Sequence, residues 1–280
     1  MRLIPDSEVV NNTPSILIIG YGWVGQYVGK YFCNADYVDD DGVVKKVNKD
    51  VVVKETKSWD LGFICVPTPM GKKGRCDMSI VDSVVQEWKD RVKYFCCKST
   101  VEIGTCDKYN NQGISFCFSP EYIGETIGHP LTEPNYSSFV ILGGPKNITK
   151  VFAEAWTLVT NSYTKIYQTD GKTAELTKLM ENSFIATKVS FVNEFFELSE
   201  AIGVDFNELR ELWLADPRVS RSHTYCFRNN RGFGGKCLPK DLSNIVSYFK
   251  EEVGVDSKFI EFLLKYNTNI RKKAEKENDR

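Results

Sequence analysis

The first apolar run of the chain leads directly into a glycine pattern, and this feature limits the possible folds most. Residues Ile16–Ile19 are branched and apolar, and Gly20, Gly22 and Gly25 follow with the spacing G-x-G-x-x-G. Short β-branched runs bounded by turn residues are typical of buried strands. The glycines allow a tight turn, a close approach of a pyrophosphate and close packing of the next helix. The pattern predicts a strand, a phosphate-binding turn and a helix through about Phe32.

The first half of the chain continues with short apolar runs that alternate with helical or polar stretches. Four more of these runs have the length and composition of buried strands: Leu61–Val66, Tyr94–Cys97, Ser115–Phe118 and Phe139–Leu142. Strands that alternate with helices favour a parallel sheet with helices on both faces. We therefore predict the α/β class, with a doubly wound parallel Rossmann-like sheet in residues 1–170.

A long stretch without proline or glycine follows, from Lys172 to about Ile202. It predicts a helix of roughly 45 Å. One row of this helix contains Leu176, Met180, Ser183, Thr187, Phe191, Phe195 and Leu198. A helix this long and apolar needs burial on several sides, so it predicts either the interface of a homodimer or burial within its own domain. Further helices are predicted at Phe206–Ala215, Leu238–Phe249 and Ser257–Arg271. Residues 171–280 are thus assigned to the long connecting helix and a small all-α domain.

Composition excludes several classes of protein. The chain of 280 residues is 42% apolar and 26% charged, with 36 basic and 37 acidic side chains. This balance does not favour a nucleic-acid or membrane binder. Two histidines and nine scattered cysteines lack metal-ligand spacing, so no metal site is predicted. The first residues lack a long apolar core, and reduced cysteines are expected, so a cytoplasmic location is predicted.

An acidic cluster lies about 20 residues beyond the glycines, where a Rossmann domain places the residue that accepts from the ribose hydroxyls. The cluster consists of Asp39, Asp40 and Asp41. We favour Asp39 because it follows a short strand-like segment, although the pattern leaves the choice among the three open. Three acids would repel a 2′-phosphate, which favours NAD over NADP. Trp23 and Val24, which begin the helix after the second glycine, are assigned to the same cofactor site.

The segment Gly232–Asp241 carries the strongest chemical signal. It places Cys237 after a run of glycines and just before a proline that can open a helix. The thiol would lie at the positive end of a helix dipole, beside Lys236 and Lys240, and such conditions lower a thiol pKa. Asp241 lies one turn further on. The alternative reading is a buried structural cysteine after a flexible loop.

Two polar residues stand out on the long helix. Lys178 and Asn182 are four residues apart and project from one face. Their surroundings are otherwise apolar, which makes them candidates for a site. The alternative is a boundary lysine and a buried asparagine that is satisfied by the backbone.

Taken together, six segments resemble the UDP-glucose 6-dehydrogenase family of nucleotide-sugar dehydrogenases. In chain order they are Gly20–Gly25, Val66–Pro69, Lys98–Val101, Ser119–Glu125, Ala174–Asn182 and Gly232–Asp241. The match runs through nearly the whole chain. The resemblance implies a four-electron oxidation of a sugar C6 alcohol to a carboxylate with two NAD⁺, as in the conversion of UDP-glucose to UDP-glucuronate.

The resemblance also implies roles for the residues already singled out. Cys237 would add to the intermediate aldehyde as a thiohemiacetal, and a second hydride transfer would give a thioester. Lys178 would offer positive charge to the developing oxyanion, with Asn182 beside it. Asp241 would hold a water or help to move the first proton.

Further roles fall on residues of the first half. By the resemblance, Glu121 would be the general base in thioester hydrolysis, and Thr100 would position the water or the sugar hydroxyl. Thr68, Ser99 and Glu125 would contact the cofactor.

The resemblance also implies which residues contact the substrate. Arg218 matches an arginine that reaches the substrate of a neighbouring subunit, with an exposed arginine after a turn as the alternative. Gly232, Phe233, Gly234 and Gly235 would border the sugar. Family members continue into a second Rossmann-like domain that grips the substrate nucleotide, and a separate chain could supply it.

Three alternatives stay open. A GDP-mannose 6-dehydrogenase activity also suits the sequence around the cysteine. A truncated, non-catalytic dimeric module that still binds NAD is a different class of function. A smaller hydroxy-acid dehydrogenase would fit the length and the lysine on the long helix, but it would give Cys237 no role.

Overall fold

The computed structural model describes residues 13–49, 51–54, 57–123 and 139–278. These residues fall into two compact units. A sheet unit contains the described residues up to Thr68 together with Met78–Glu175, and a helical unit contains Pro69–Asp77 and the chain from Leu176 onward. The sequence did not indicate that Pro69–Asp77 belongs with the helices. A domain boundary between residues 170 and 171 stays a prediction.

The described part of the sheet unit contains eight strands and four complete helices. The strands are β1 (Ile16–Ile19), β2 (Asp36–Val38), β3 (Lys45–Lys46), β4 (Trp59–Ile64), β5 (Val92–Cys97), β6 (Phe116–Phe118), β7 (Phe139–Gly143) and β8 (Lys165–Thr169). The helices are α1 (Trp23–Tyr31), α2 (Ser79–Trp88), α3 (Thr105–Asn111) and α4 (Lys146–Val159). Of the strands, β3 and β8 were not predicted, because their sequences are short or polar.

The strands form one sheet in the order β3-β2-β1-β4-β5-β6-β7-β8. Five adjacent strands, β2, β1, β4, β5 and β6, run parallel to one another. On either side of them, β3 pairs antiparallel with β2, and β7 pairs antiparallel with β6, while β8 pairs parallel with β7 at the outer edge. The β2–β3 link is too short for the crossover that a parallel pair needs. The predicted fold class, a doubly wound Rossmann-like sheet, is confirmed, with these two antiparallel pairs as a refinement.

The apolar runs became central strands because both faces of the sheet are covered. All four residues of β1 are buried. Ile16 and Ile18 pack in the core on one face, whereas Leu17 and Ile19 pack on the other. Successive side chains of a strand point to opposite faces, so a strand that is covered on both sides must be apolar throughout.

The helical unit contains most of α5 (Gly171–Ile202), together with α6 (Phe206–Trp213), α7 (Leu238–Tyr248) and α8 (Lys258–Asn278). The predicted helices are present, and the last one extends to Asn278 rather than ending at Arg271. A single 3₁₀ turn, Lys72–Gly74, precedes the return of the chain to the sheet unit. No helix in the described ranges combines the length and the apolar character needed to cross a membrane.

The two sides of α5 differ in an unexpected way. From Leu179 onward, its buried residues are mostly small or polar: Leu179, Asn182, Ser183, Ala186, Ser190, Val192, Asn193, Phe196 and Ser199. Its exposed residues include large apolar ones: Leu176, Met180, Phe184, Phe191, Phe195, Leu198 and Ile202. Within the row read from the sequence, Ser183 is buried, whereas apolar members such as Met180 and Phe191 are exposed. A row drifts around a long helix, because 3.6 residues per turn do not divide evenly into its spacing.

Candidate functional site

The glycine turn after β1 has the geometry of a dinucleotide-binding turn. Gly20 has φ +86°, and a Cβ there would lie 2.8 Å from the carbonyl oxygen of Cys65. A Cβ on Gly25 would overlap the carbonyl oxygen of Gly20. At Gly22, by contrast, no atom of the described residues lies within 4 Å of the Cβ position. The turn is therefore tight and closely packed on its helix, and open where a pyrophosphate would approach the N-terminus of α1.

The acidic cluster lies at the same edge of the sheet. The Gly20 N–H donates to the carbonyl of Val38 at 2.9 Å, which ties the glycine turn to the end of β2. Asp39 follows directly and is exposed. Asp41 is engaged by its own turn, since its carboxylate accepts from Lys45 Nζ at 2.5 Å and from the Val43 N–H at 3.1 Å. This engagement favours Asp39 or Asp40 for a ribose contact, which stays a prediction.

Two hydroxyls join the ends of β4 and β5 at this edge. Thr68 Oγ1 donates to the carbonyl of Thr100 at 2.7 Å, and Ser99 Oγ donates to the carbonyl of Val66 at 2.6 Å. Their hydroxyl protons are thus committed, and each oxygen keeps lone pairs that can accept. Of the other residues assigned to the cofactor, Trp23 and Val24 begin α1, while Glu125 lies outside the described residues.

Glu121 follows β6 at the same edge and is held from both sides. Its Oε1 accepts from the N–H groups of Tyr122 and Ile123, at 2.8 and 3.0 Å. Its Oε2 lies 3.2 Å from Lys98 Nζ, which also donates to Ser119 Oγ at 3.1 Å. Lys98 belongs to the segment Lys98–Val101 that resembles the family, but the sequence did not indicate a role for it.

The charge of Lys98 persists despite its burial. Burial lowers the pKa of Lys98, but the carboxylate of Glu121, with smaller contributions from Cys96 and Cys65, outweighs it and leaves that pKa raised. Lys98 is therefore an ammonium at neutral pH. The end of β5 carries a buried cation paired with a candidate base.

In the helical unit, Cys237 lies at the start of α7. The helix begins at Leu238 with Pro239 as its second residue, where the missing N–H needs no partner. The Cys237 carbonyl accepts from the Asp241 N–H at 2.9 Å. Cys237 is exposed, which argues against the reading as a buried structural cysteine.

Three of the predicted catalytic residues form one hydrogen-bonded chain in this unit. Lys178 Nζ donates to Asn182 Oδ1 at 3.3 Å, and Asn182 Nδ2 donates to Asp241 Oδ2 at 2.5 Å. Asp241 is fully buried and Asn182 nearly so. The alternative in which the amide is satisfied by the backbone is not observed, because the partners of Asn182 here are side chains.

The sequence predicts that Lys240 lies beside the thiol of Cys237, but the contacts of its ammonium are with Asp241 and Cys76. Its ammonium lies 2.6 Å from Asp241 Oδ1 and donates to Cys76 Sγ at 3.4 Å. Burial lowers the pKa of Lys240, but Asp241 and Cys76 outweigh it and leave that pKa raised. The charge of Lys240 is thus used to pair Asp241. No sequence signal linked Cys76 to this cluster, because it lies far away in the chain.

Two asparagines clamp the glycine-rich loop before Cys237, and sequence reasoning missed both. Asn193 Oδ1 accepts from the Gly232 N–H at 3.0 Å. Asn267 accepts from the Phe233 N–H at 2.7 Å and donates back to its carbonyl at 2.8 Å. The Phe233 side chain is 2% exposed and packs in the helical core, so it is not available to border a sugar. Gly234 and Gly235 complete the loop.

Arg218 lies on an exposed turn of the helical unit. Its guanidinium pairs with Asp216 of the same turn, with Nη2 2.6 Å from Oδ2 and Nε 3.0 Å from Oδ1. The pair holds the arginine in a defined orientation toward solvent. Contact with a substrate in a neighbouring subunit stays a prediction.

Comparison with known proteins identifies the family. Residues 41–167 match the NAD binding domain of the UDP-glucose/GDP-mannose dehydrogenase family, and residues 172–269 match its central domain. The chain belongs to this family. The predicted family and the predicted cofactor, NAD, are thereby confirmed. The match to the NAD binding domain begins after the glycine turn, so the evidence for that turn is the geometry above.

Individual members of the UDP-glucose/GDP-mannose dehydrogenase family agree with this assignment. A UDP-glucose 6-dehydrogenase of Rickettsia bellii is 31% identical over 224 residues, which covers 76% of this chain and 50% of the relative. Two structures share the fold. One is a UDP-glucose dehydrogenase of Pyrobaculum islandicum, with a TM-score of 0.73 and 22% identity over 96% of this chain and 70% of that chain. The other is a UDP-D-ManNAc dehydrogenase of Pyrococcus horikoshii, with a TM-score of 0.74 and 22% identity over 91% of this chain and 68% of that chain. The chain spans 50% to 66% of the length of the first two curated relatives.

Proposed function

We propose that this chain is the catalytic part of an NAD-dependent nucleotide-sugar dehydrogenase that oxidises the C6 alcohol of UDP-glucose to a carboxylate. The observation that carries the proposal is the exposed Cys237 at the start of α7, one turn before an Asp241 that is bonded to Asn182 and, through it, to Lys178. A simple alcohol dehydrogenase needs no nucleophile, whereas oxidation to an acid requires the aldehyde to be held.

The glycine turn supports the choice of cofactor. Gly22 is open, and Gly20 and Gly25 admit no side chain, which fits a dinucleotide at the N-terminus of α1. When bound, NAD⁺ supplies the hydride acceptor for each of the two oxidation steps.

In the first oxidation, the protein must take a proton from the C6 hydroxyl. Asp241 is fully buried, with Oδ2 on Asn182 and Oδ1 facing Lys240. We assign it to orienting the amide of Asn182 and to receiving the proton through a held water. Lys178 supplies the positive charge near the oxygen that becomes the aldehyde.

Cys237 then adds to the aldehyde. Its Sγ forms a bond to C6, and the negative charge that appears on the oxygen is stabilised by the ammonium of Lys178. Loss of a second hydride from C6 turns this adduct into a thioester. The position of Cys237 at the N-terminal end of α7 favours the thiolate that this addition needs.

Hydrolysis of the thioester completes the reaction. Glu121 takes a proton from a water that Thr100 helps to place, and the water oxygen forms a bond to the carbonyl carbon. The C–S bond breaks, the sulfur leaves as thiolate, and the sugar is released as the acid.

The nucleotide sugar is the least determined part of the proposal. The family includes enzymes for UDP-glucose and for GDP-mannose, and the chain matches curated UDP-glucose 6-dehydrogenases over much of its length. We therefore favour UDP-glucose, with GDP-mannose as the second candidate. A panel that also contains UDP-N-acetylmannosamine separates the three by initial rate.

The test is NADH formation with and without an added nucleotide-binding domain from a relative. We expect two NADH per sugar acid from UDP-glucose, and a loss of more than about a hundredfold in the Cys237→Ala variant. Cys33→Ala is the matched control, because Cys33 is the other exposed cysteine, and it is expected to keep the native rate. Absence of NADH with every sugar, in both arrangements, contradicts the proposal.

We also propose a homodimer that buries the exposed apolar face of α5. Met180 is 72% exposed, Phe184 59% and Phe191 47%, and the rings of Phe191 and Phe195 are in contact at 4.8 Å. Large exposed apolar side chains grouped on one helix are typical of a protein interface. The nucleotide-binding domain of longer relatives would come from another chain or from a further part of this protein.

A further inference from the structure

Glu175 is a buried carboxyl group to which neither the sequence nor the proposed reaction gives a role. It lies near the start of α5, within the sheet unit, and is 1% exposed. Its Oε2 accepts from the Gly104 N–H at 2.6 Å, and its Oε1 accepts from the Cys106 N–H at 2.8 Å. Gly104 directly precedes α3, and Cys106 is the second residue of that helix. A side chain 71 residues away in the chain therefore holds the start of α3.

The helix α3 has no side-chain cap of its own. Gly104, the residue before it, has no side chain to offer, and its φ of +92° is one that few other residues adopt. The first N–H groups of a helix have no partner inside the helix, so they need an acceptor from elsewhere. Glu175 accepts from two of them. Burial raises the pKa of Glu175, and the two N–H groups offset part of that rise.

Small residues hold the start of α5 close to its neighbours. A Cβ on Gly171 would lie 2.5 Å from the Cβ of Cys106 on α3. A Cβ on Gly143 of β7 would lie 2.3 Å from the Cβ of Ala174. Neither approach leaves room for a larger side chain, because protein interiors are closely packed. The carboxyl group of Glu175 thus reaches α3 from a backbone that is itself fixed.

The segment of residues 99–104 lies between β5 and α3, at the carboxyl edge of the sheet. Hydrogen bonds of Ser99 and Thr100 join its beginning to the end of β4. Val101 is 1% exposed and anchors the next part in the core. Gly104 is its last residue, and Glu175 holds it there. Ligands of open α/β sheets bind outside the carboxyl ends of the strands, so this segment borders the expected place of the cofactor.

Other side chains stabilise α3 without bonding to this segment. Asn110 lies near the far end of the helix, where its Nδ2 donates to the carbonyls of Cys106 and Phe116, both at 2.7 Å, and its Oδ1 accepts from the Phe116 N–H at 3.2 Å. Asp107 lies in the first turn, but its carboxylate is more than half exposed and pairs with Lys172 at 3.0 Å. Asn110 therefore provides a comparison within the same helix.

We propose that Glu175 is a positioning residue that fixes the segment 99–104 in the conformation that receives NAD. The carboxyl group acts through the N–H groups of Gly104 and Cys106, and not by contact with the cofactor. Its removal leaves both N–H groups without their acceptor, so the cofactor must order the segment when it binds. The inference rests on the part of the proposed function that concerns NAD, and it is independent of the sugar and of Cys237.

The first experiment measures the affinity for NADH from the fluorescence of the bound cofactor, with no sugar present. Glu175→Gln keeps the size of the side chain but leaves one oxygen to accept from two N–H groups. We expect its dissociation constant for NADH to rise by about tenfold. Asn110→Ala is the matched control, because it removes hydrogen bonds from the other end of α3, and it should keep the native affinity. Native affinity in folded Glu175→Gln, or an equal loss in Asn110→Ala, overturns the proposal.

The second experiment uses the native protein and needs no variant to fold. Coupling between two events is reciprocal, so a cofactor whose affinity depends on these hydrogen bonds also strengthens them. Saturating NADH should slow hydrogen exchange of the Gly104 and Cys106 N–H groups at least about fivefold more than that of the Phe116 N–H. The Phe116 N–H is the internal reference, because it donates to Asn110. Equal slowing of all three N–H groups overturns the proposal.

The two proposals fail in different ways. If the native protein binds NADH but oxidises no nucleotide sugar, the proposed function fails, and the affinity and the exchange still decide the role of Glu175. If the native protein does not bind NADH, the role of Glu175 is overturned. If Glu175→Gln does not fold, the exchange experiment on the native protein decides alone.

Discussion

The core of the sheet unit and helix α5 of the helical unit place large apolar side chains in opposite positions. In the sheet unit Leu17, Phe63 and Phe118 are completely buried. In the helical unit Met180 and Phe184 of α5 are 72% and 59% exposed, while small polar residues such as Ser190 and Ser199 face inward. The strands of the sheet unit therefore bury their large apolar side chains in a core, whereas α5 exposes many of its own, and it is this exposed face that we propose as a dimer interface.

The interiors of the two units are also built from different interactions. The core of the sheet unit contains a cluster of aromatic rings, in which the ring of Phe63 lies 5.4 Å from that of Phe152. In the helical unit Arg231 is buried and donates to Asn193 Oδ1 at 2.8 Å. Hydrogen bonds inside a unit specify geometry, and apolar burial supplies most of the stability.

The largest expected effect tests the apolar core of the sheet unit. Phe63→Ala removes a ring that contacts Phe32, Phe152 and Trp156. We expect a loss of about 3 to 5 kcal/mol in the free energy of unfolding, measured by urea denaturation. Leu158→Ala is the control, because Leu158 is 66% exposed in the same unit, and it should change stability by less than about 0.5 kcal/mol. Equal effects in the two variants would refute a closed core.

A second prediction concerns the stability of the same core at alkaline pH. Burial raises the pKa of Cys97 from 9.0 to about 12. The folded state therefore holds this proton more tightly than the unfolded state, so the contribution of this thiol to stability is constant below pH 9 and is lost between about pH 9 and 12. Three pKa units correspond to about 4 kcal/mol as an upper estimate.

The comparison of variants isolates this effect from other alkaline changes. Cys97→Ala should flatten the decline of stability with pH, measured by urea denaturation at a series of pH values. Cys33→Ala, which removes an exposed thiol of the same unit, should leave the slope as it is. A slope that Cys97→Ala does not change would mean that this thiol does not contribute.

The third prediction concerns the exposed face of α5. Phe184→Glu places a charge in the proposed dimer interface, and we expect the dissociation constant of the dimer to rise by about a hundredfold, or about 2.7 kcal/mol, in sedimentation velocity. Leu158→Glu makes the same kind of change on α4, where no interface is proposed, and should keep the native dimer. A native protein that is monomeric at high concentration would rule out the dimer.

The smallest expected effect tests whether Asn267 fixes the backbone of the glycine-rich loop in the helical unit. Gly232 and Gly235 both have φ +74°, so alanine carries a similar backbone strain at either position. A Cβ at Gly232 would also overlap Asn267 Oδ1, whereas at Gly235 no described atom lies within 4 Å. Thermal unfolding should show Gly232→Ala to be about 1 to 2 kcal/mol less stable than Gly235→Ala. Equal melting temperatures would show that Asn267 does not clamp the loop.

Much of the fold could be predicted because its signals are local. The run Ile16–Ile19 and the glycines after it gave the strand and the turn, and the uninterrupted stretch after Gly171 gave α5 with its bounds nearly correct. β8 was missed because Lys165–Thr169 is mostly exposed and polar, so it lacks the apolar pattern of a central strand. β3 was missed because two residues give no pattern.

The candidate site was predicted in part, for the same reason. Lys178 and Asn182 are one turn apart, and Asp241 is one turn from Cys237, so spacing alone placed each pair. The partners that set their charge were not visible. Lys240 contacts Cys76, which is 164 residues away in the chain, and Lys98 contacts Glu121 across neighbouring strands.

The order of residues by itself determined the strand–turn–helix that suits a dinucleotide, the alternation that builds the sheet, and a thiol at the first turn of a helix. These depend on backbone preferences and periodicity over a few residues. Only the tertiary structure decided which face of α5 is buried, and which lysines are paired with which carboxylates. Periodicity defines the rows of a helix but not the row that meets the core, and ionisation of a buried group depends on charges brought near it by folding.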